Sequence, residues 1–179
     1  MRAGLKHTGV KVLSILLLVL ICLVPTGSSS KDNNTSENDL KALFILNFIK
    51  YVSWPSDVDK DHIVIGVTEE SGMYNSLINV LERRTDNTRV RVERIYPAST
   101  TKYNVVFISQ EESGRVDKWL NKFSGKGVLT ISDECVSCGA AINLIKVNSK
   151  IRFEINLSGA LQGGVKISNR LVELSNMVQ

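Results

Sequence analysis

The residues best placed to do chemistry in this 179-residue chain are Cys135 and Cys138, in the run Asp133-Glu134-Cys135-Val136-Ser137-Cys138-Gly139. Cysteines three apart can close a disulfide if a turn brings their Cα atoms within about 7 Å. So small a ring removes little chain entropy, about 2 kcal/mol at best, which suits holding a loop. A redox-active pair of the thioredoxin type needs its first thiol at a helix N-terminus, where the dipole lowers the pKa. Here Asp133 and Glu134 precede Cys135 and would raise its pKa, and a glycine and a strand-like run follow Cys138. The pattern favours a structural disulfide, with a redox-responsive switch as the second reading and thiol catalysis as the third.

Other constellations are sparse. Arg152 and Glu154, two apart on a strand-like run, would face the same side and pair with each other or with a partner. Beyond residue 30 there are two cysteines and one histidine, His62, fewer than the four ligands of a typical structural zinc site. His62 opens an apolar strand and has no G-x-S-x-G elbow to accompany it, so it reads as structural. Neither a GxGxxG fingerprint nor a GxxxxGK[ST] phosphate loop is present. No catalytic residue, metal or cofactor is expected.

The elements that must position these residues follow from periodicity. Asn38 or Asp39 can cap a helix from Leu40 to about Ser53, with an apolar stripe of Leu40, Phe44, Phe48, Tyr51 and Val52. Leu43, Leu46 and Ile49 fall outside that stripe, so the helix is more apolar than one buried face requires. It is either sunk in the core or has a second partner surface, which makes Phe44, Phe48, Tyr51 and Trp54 docking candidates. Trp54-Pro55 ends it, because the residue before proline avoids helical geometry.

Strand-like runs at 63–67, 90–95, 104–109 and 127–132 alternate with helical patterns at 73–83 and 111–123. Such runs, apolar on both faces, argue for a largely parallel sheet covered on two sides. Two further strands, 140–147 and 150–156, joined by Asn148-Ser149, read as a hairpin, and a last helix begins after Ser168. Its apolar face would carry Leu171, Leu174 and Val178. The expected fold class is three-layer α/β: a mixed, mostly parallel sheet with helices on both faces and a C-terminal hairpin plus helix. If the strands are parallel, Thr68-Glu69-Glu70, Ser109-Gln110-Glu111 and Ser132-Asp133-Glu134 gather at one edge as an acidic rim, making Asp133 a ligand or partner candidate.

The first thirty residues read as a secretory signal peptide: Arg2, Lys6 and Lys11, then the apolar run Val12 to Val24, then Pro25, Thr26, Gly27 and three serines. The run stops short of the roughly 20 residues of a membrane span. The full chain carries +4, but three basic and no acidic residues belong to that leader, leaving the rest near neutrality. No cationic surface for nucleic acid is implied. Residues 31–38 are expected to be a flexible segment, and 39–179 one domain.

With those segments in view, the chain resembles the YfiR family of bacterial periplasmic proteins. The matching stretches are LKALFILNFIKYVSWP (40–55), IVIGV (63–67), GVLTISD (127–133), GAAINL (139–144) and IRFEINLSGALQGGVKISNRLVEL (151–174), in the family's order. The resemblance implies a periplasmic repressor that binds the sensor part of a membrane diguanylate cyclase and restrains cyclic-di-GMP synthesis and biofilm formation. It also implies relief by an OmpA-like outer-membrane lipoprotein, and homodimers stabilised by disulfides. The best-known relative has more cysteines, and the chain reads Cys138-Gly139-Ala140-Ala141 where the family usually has two glycines. The residues themselves leave two other readings open, a small-ligand sensor and a CxxC thiol-redox protein.

Overall fold

A computed structural model describes residues 30–68, 72–84, 89–135 and 137–177. Residues 1–29 of the leader therefore lie outside the described residues, as do Glu69, Glu70 and Val178. The chain divides into Met1–Lys31 and Asp32–Gln179. Of the first unit only Ser30 and Lys31 are described, as the opening residues of a helix.

That helix, α1 (Ser30–Phe48), continues as a 3-10 turn, Ile49–Tyr51, into a two-residue strand, β1 (Val52–Ser53). Strand β2 (His62–Thr68), helix α2 (Met73–Glu82) and strand β3 (Arg89–Ile95) follow, then β4 (Val105–Ile108). A 3-10 segment, Gln110–Arg115, leads into α3 (Val116–Phe123), then β5 (Leu129–Asp133), β6 (Ile142–Val147) and β7 (Lys150–Ile155). The chain closes with α4 (Leu157–Gly163), β8 (Lys166–Ile167) and α5 (Asn169–Met177).

Six strands form one sheet in the order β3-β2-β4-β5-β6-β7. All neighbours are parallel except β6 and β7. The fold is thus the expected three-layer α/β architecture. The β6–β7 turn is Asn148-Ser149 with both residues at positive φ, the twist that two-residue hairpins need.

Alternation along the strands builds two cores. On one face Ile63, Ile65, Phe107, Leu129, Ile131 and Phe153 meet α1 and α2. On the other, Val106 and Ile108 meet Trp119, Leu120 and Phe123 of α3. That helix buries Val116, Trp119, Leu120 and Phe123, spaced i, i+3, i+4, i+7, and leaves its polar face to solvent.

The first helix differs from its expected form. It starts at Ser30, so Asn38 and Asp39 are interior residues and the 31–38 segment is helical backbone. Its buried face is Ala42, Ile45, Leu46, Phe48 and Ile49, while Leu40 and Leu43 are 43% and 45% exposed. The expected stripe followed the helical angle from Leu40 through Phe44 and Phe48. In the protein Ala42 is buried, and Leu46 and Ile49, placed outside the stripe, are buried with it.

Two features had no counterpart in the sequence reading. Val52 and Ser53 pair antiparallel with Ile167 and Lys166, tying the exit of α1 to the C-terminal region. Helix α4 fills the stretch after the hairpin. Asn156 Oδ1 accepts the Gly159 amide at 3.0 Å to cap it, and Gly164, at φ 83°, ends it in the left-handed conformation.

Candidate functional site

At the carboxyl edge of the sheet, the ends of β2, β4 and β5 do lie side by side, because those strands are parallel. Thr68 Oγ1 donates to Ser109 Oγ at 3.1 Å and accepts the Ser109 amide at 2.9 Å, so these two hydroxyls satisfy each other. Asp133, at the end of β5, is buried against Lys41 of α1. Lys41 Nζ lies 2.8 and 3.1 Å from the Asp133 carboxylate oxygens and 2.9 Å from Glu37 Oε1. Glu37 in turn holds Lys146 of β6 at 2.5 Å. The expected acidic rim is therefore corrected around Asp133: a buried lysine occupies it.

The electrostatics of this cluster pull in two directions. Burial alone would lower the Lys41 pKa, but hydrogen bonds and charges from Asp133 and Glu37 outweigh it and hold the ammonium above its ordinary value. Burial pushes Asp133 up, against the opposing pull of Lys41, with Glu37 and Glu111 adding repulsion. Hydrogen bonds from Lys146 and Lys41 lower Glu37. The short Lys41–Asp133 contacts support the ion pair as the working state at neutral pH.

The aromatic candidates on α1 lie mostly inside. Phe44 and Phe48 stack at 6.0 Å, and Phe48 packs on Phe153 of β7 at 4.9 Å. Phe48 and Trp54 are buried, which corrects their standing as docking residues. Trp54 Nε1 donates to the Asn104 carbonyl at 3.3 Å. Phe44 and Tyr51 are half-buried against the same core.

The remaining candidates come together. A cavity of about 880 Å³ is lined by Cys135, Cys138, Asn143, Arg152, Glu154 and Ser175, among others. It lies on the sheet face that α3 covers elsewhere, over β6 and β7. Register sets its wall: Asn143 opposes Glu154 and Ile145 opposes Arg152, so all four point to the open side. Arg152 and Glu154 do face one way, but they are not bonded to each other. Glu154 Oε2 accepts Asn143 Nδ2 at 3.2 Å, and the buried Arg152 Nε has no hydrogen-bond partner.

Asn143 organises this wall, a role that no local sequence pattern marks. Its Oδ1 accepts Ser132 Oγ at 3.0 Å and the Cys135 amide at 3.1 Å. The loop between β5 and β6 is thereby fixed, with Glu134 and Ser137 at positive φ. Both cysteines are thiols here. Cys138 Sγ contacts Ser132 Oγ at 3.2 Å. Burial and the neighbouring Cys138 thiol push the Cys135 thiol up to about 12, so it holds almost no thiolate at neutral pH. As a thiol, Cys135 makes a poor nucleophile. His62 sits elsewhere, exposed at the start of β2, with Nδ1 3.1 Å from Asp59 Oδ2 and Nε2 3.0 Å from Arg89.

Among the described residues no group of three or more histidine, cysteine or acidic side chains could hold a metal ion. No helix among them is long and apolar enough to cross a membrane. A search of curated proteins finds no match. The family model described as YfiR/HmsC-like matches residues 38–176, which takes in every element from most of α1 to α5. The chain belongs to the YfiR/HmsC-like family.

Proposed function

We propose that the chain is an exported, periplasmic regulatory protein that represses a membrane diguanylate cyclase, or a similar membrane sensor, by docking on it. The observation that carries this reading is the family match over nearly the whole domain. It is supported by Leu40 and Leu43, one turn apart on α1 and exposed, while Ala42, Ile45, Leu46 and Phe48 of the same helix are buried. A periplasmic segment of the membrane partner is the occupant this reading assigns to them, with an OmpA-like lipoprotein competing for the repressor.

The test is co-purification of the cyclase with wild-type protein and with Leu40→Asp/Leu43→Asp. Capture by the wild type and loss in the variant, with unchanged thermal unfolding, is the expected result. Equal capture by both would remove α1 from the interface, and no capture by either would remove the cyclase as partner.

A second reading, a small-ligand sensor, draws on the cavity beside Arg152, whose Nε has no partner and whose wall combines a cation with the Asn143 amide. Binding of a ligand there would raise the unfolding midpoint in a thermal-shift screen, and Arg152→Ala would abolish the rise. Closure of Cys135 and Cys138 into a disulfide would fix the cavity's mouth. It releases two protons and two electrons to an extracytoplasmic disulfide oxidant, and thiol labelling of native protein would then find neither cysteine reactive.

A further inference from the structure

A second cavity, of about 890 Å³, opens at the amino ends of β2 and β4 and shares no lining residue with the one at Arg152. Its inner wall includes Val64, Tyr103, Phe123 and Val128. Tyr103 and Phe123 meet edge to face at 6.0 Å and give it an aromatic floor. Around this floor stand Lys102, Lys122, Lys126 and Arg91, with the loop residues Thr100 and Thr101. The domain beyond the leader is almost neutral, so this concentration of cations is local.

Two acidic residues, Asp57 and Asp59, share the wall with three lysines and Arg91, so the cations outnumber them. Asp59 spends its carboxylate on the Asp61 amide at 2.8 Å, the His62 amide at 3.1 Å and the His62 ring. Arg91 is paired with Glu93 at 2.9 Å. Lys122 Nζ is pinned by the carbonyls of Pro97 at 2.7 Å and Ser99 at 2.9 Å, which fix its position and bring no counter-charge. Lys102 and Lys126 are exposed and take part in no ion pair among the described residues. Burial and the charge of Lys126 both depress the Lys122 pKa, as expected for two ammonium groups on one cavity rim.

We propose that this cavity binds a small organic anion, a carboxylate or sulfonate on a flat apolar body, with Lys102, Lys122 and Lys126 on the charge and Tyr103 and Phe123 under the body. An inorganic anion would use the lysines and leave the apolar floor wet. A neutral apolar molecule would leave the lysines uncompensated. The arrangement of cationic rim over aromatic base fits the amphipathic anion best.

The probe is 8-anilinonaphthalene-1-sulfonate, titrated by fluorescence into the purified protein. The expected result is saturable one-to-one binding that weakens on the order of ten-fold in Lys102→Glu/Lys126→Glu, survives in Lys102→Arg/Lys126→Arg and is unchanged in Arg152→Ala. Benzoate should displace the probe and inorganic phosphate at equal ionic strength should not. Both lysines are exposed, so the charge-reversed protein should keep its unfolding midpoint. Unchanged affinity in the charge-reversed variant, weakening in Arg152→Ala instead, or displacement by phosphate as effective as by benzoate would each overturn the proposal.

Discussion

A lysine almost wholly inside a protein needs anionic partners, and Lys41, 4% exposed, has Asp133 and Glu37. Removing the lysine while keeping its stem leaves a buried carboxylate without a counter-charge. Lys41→Met should therefore cost about 3 kcal/mol in urea unfolding, whereas Lys41→Met combined with Asp133→Leu should recover most of the loss. The pH dependence divides by residue. Glu37 is held below its ordinary 4.5, so its contribution is present above that value and is lost as pH falls through the folded pKa. Lys41 is held above 10.5, so its contribution is present below that value and lost as pH rises through the folded pKa. Asp133, raised above 3.8 by burial, works against Glu37 on the acid side: its ionisation costs stability, and that cost disappears as it protonates. The stability difference between wild type and Glu37→Gln should accordingly be full at pH 7 and shrink below about pH 4.5, as read from urea midpoints at each pH.

At the scale of elements, the sheet and its helices were legible because each strand alternates or runs apolar within sharp boundaries, and α2 and α3 have one clear face. Helix α4 was not, because its packing surface is made of small residues, Gly159, Ala160 and Gly163. A Cβ on Gly159 would stand 2.3 Å from the Gly139 carbonyl oxygen, and one on Gly163 2.4 Å from that of Val128. The helix thus meets backbone through two glycines four apart, while Leu157 and Leu161 point to solvent. Apolar periodicity reads that segment with its faces reversed. Gly159→Ala should destabilise the protein by about 2 kcal/mol through displacement of α4 from the 139–141 backbone, and Leu161→Gln should change stability by less than about 0.5 kcal/mol, both measurable by thermal unfolding. The candidate cavity was half legible. Arg152 and Glu154 share a face by strand period alone, and Cys135 and Cys138 announce themselves by type. Asn143 and Lys41 did not, since one asparagine in a strand and one lysine in a helix carry no local mark of burial; only the register of β6 on β5 and the docking of α1 give them their roles.

For the whole molecule, the same three layers serve several surfaces: an α1 ridge with Leu40 and Leu43, a cavity over the β6–β7 hairpin, and a cationic cavity at the amino ends of β2 and β4. The polar chemistry observed among the described residues holds loops and strands together, as Asn143, Asn104 and Lys41 do. Under the proposed regulatory reading the chain acts through what it touches, and that contact is a brake on a membrane cyclase. The most direct measurement is the cellular cyclic-di-GMP concentration in a strain lacking this protein, compared with its parent and with the strain complemented by the wild-type chain. Release of the cyclase requires a rise of several-fold that complementation reverses. An unchanged concentration, with the cyclase present and active in both strains, would contradict the account.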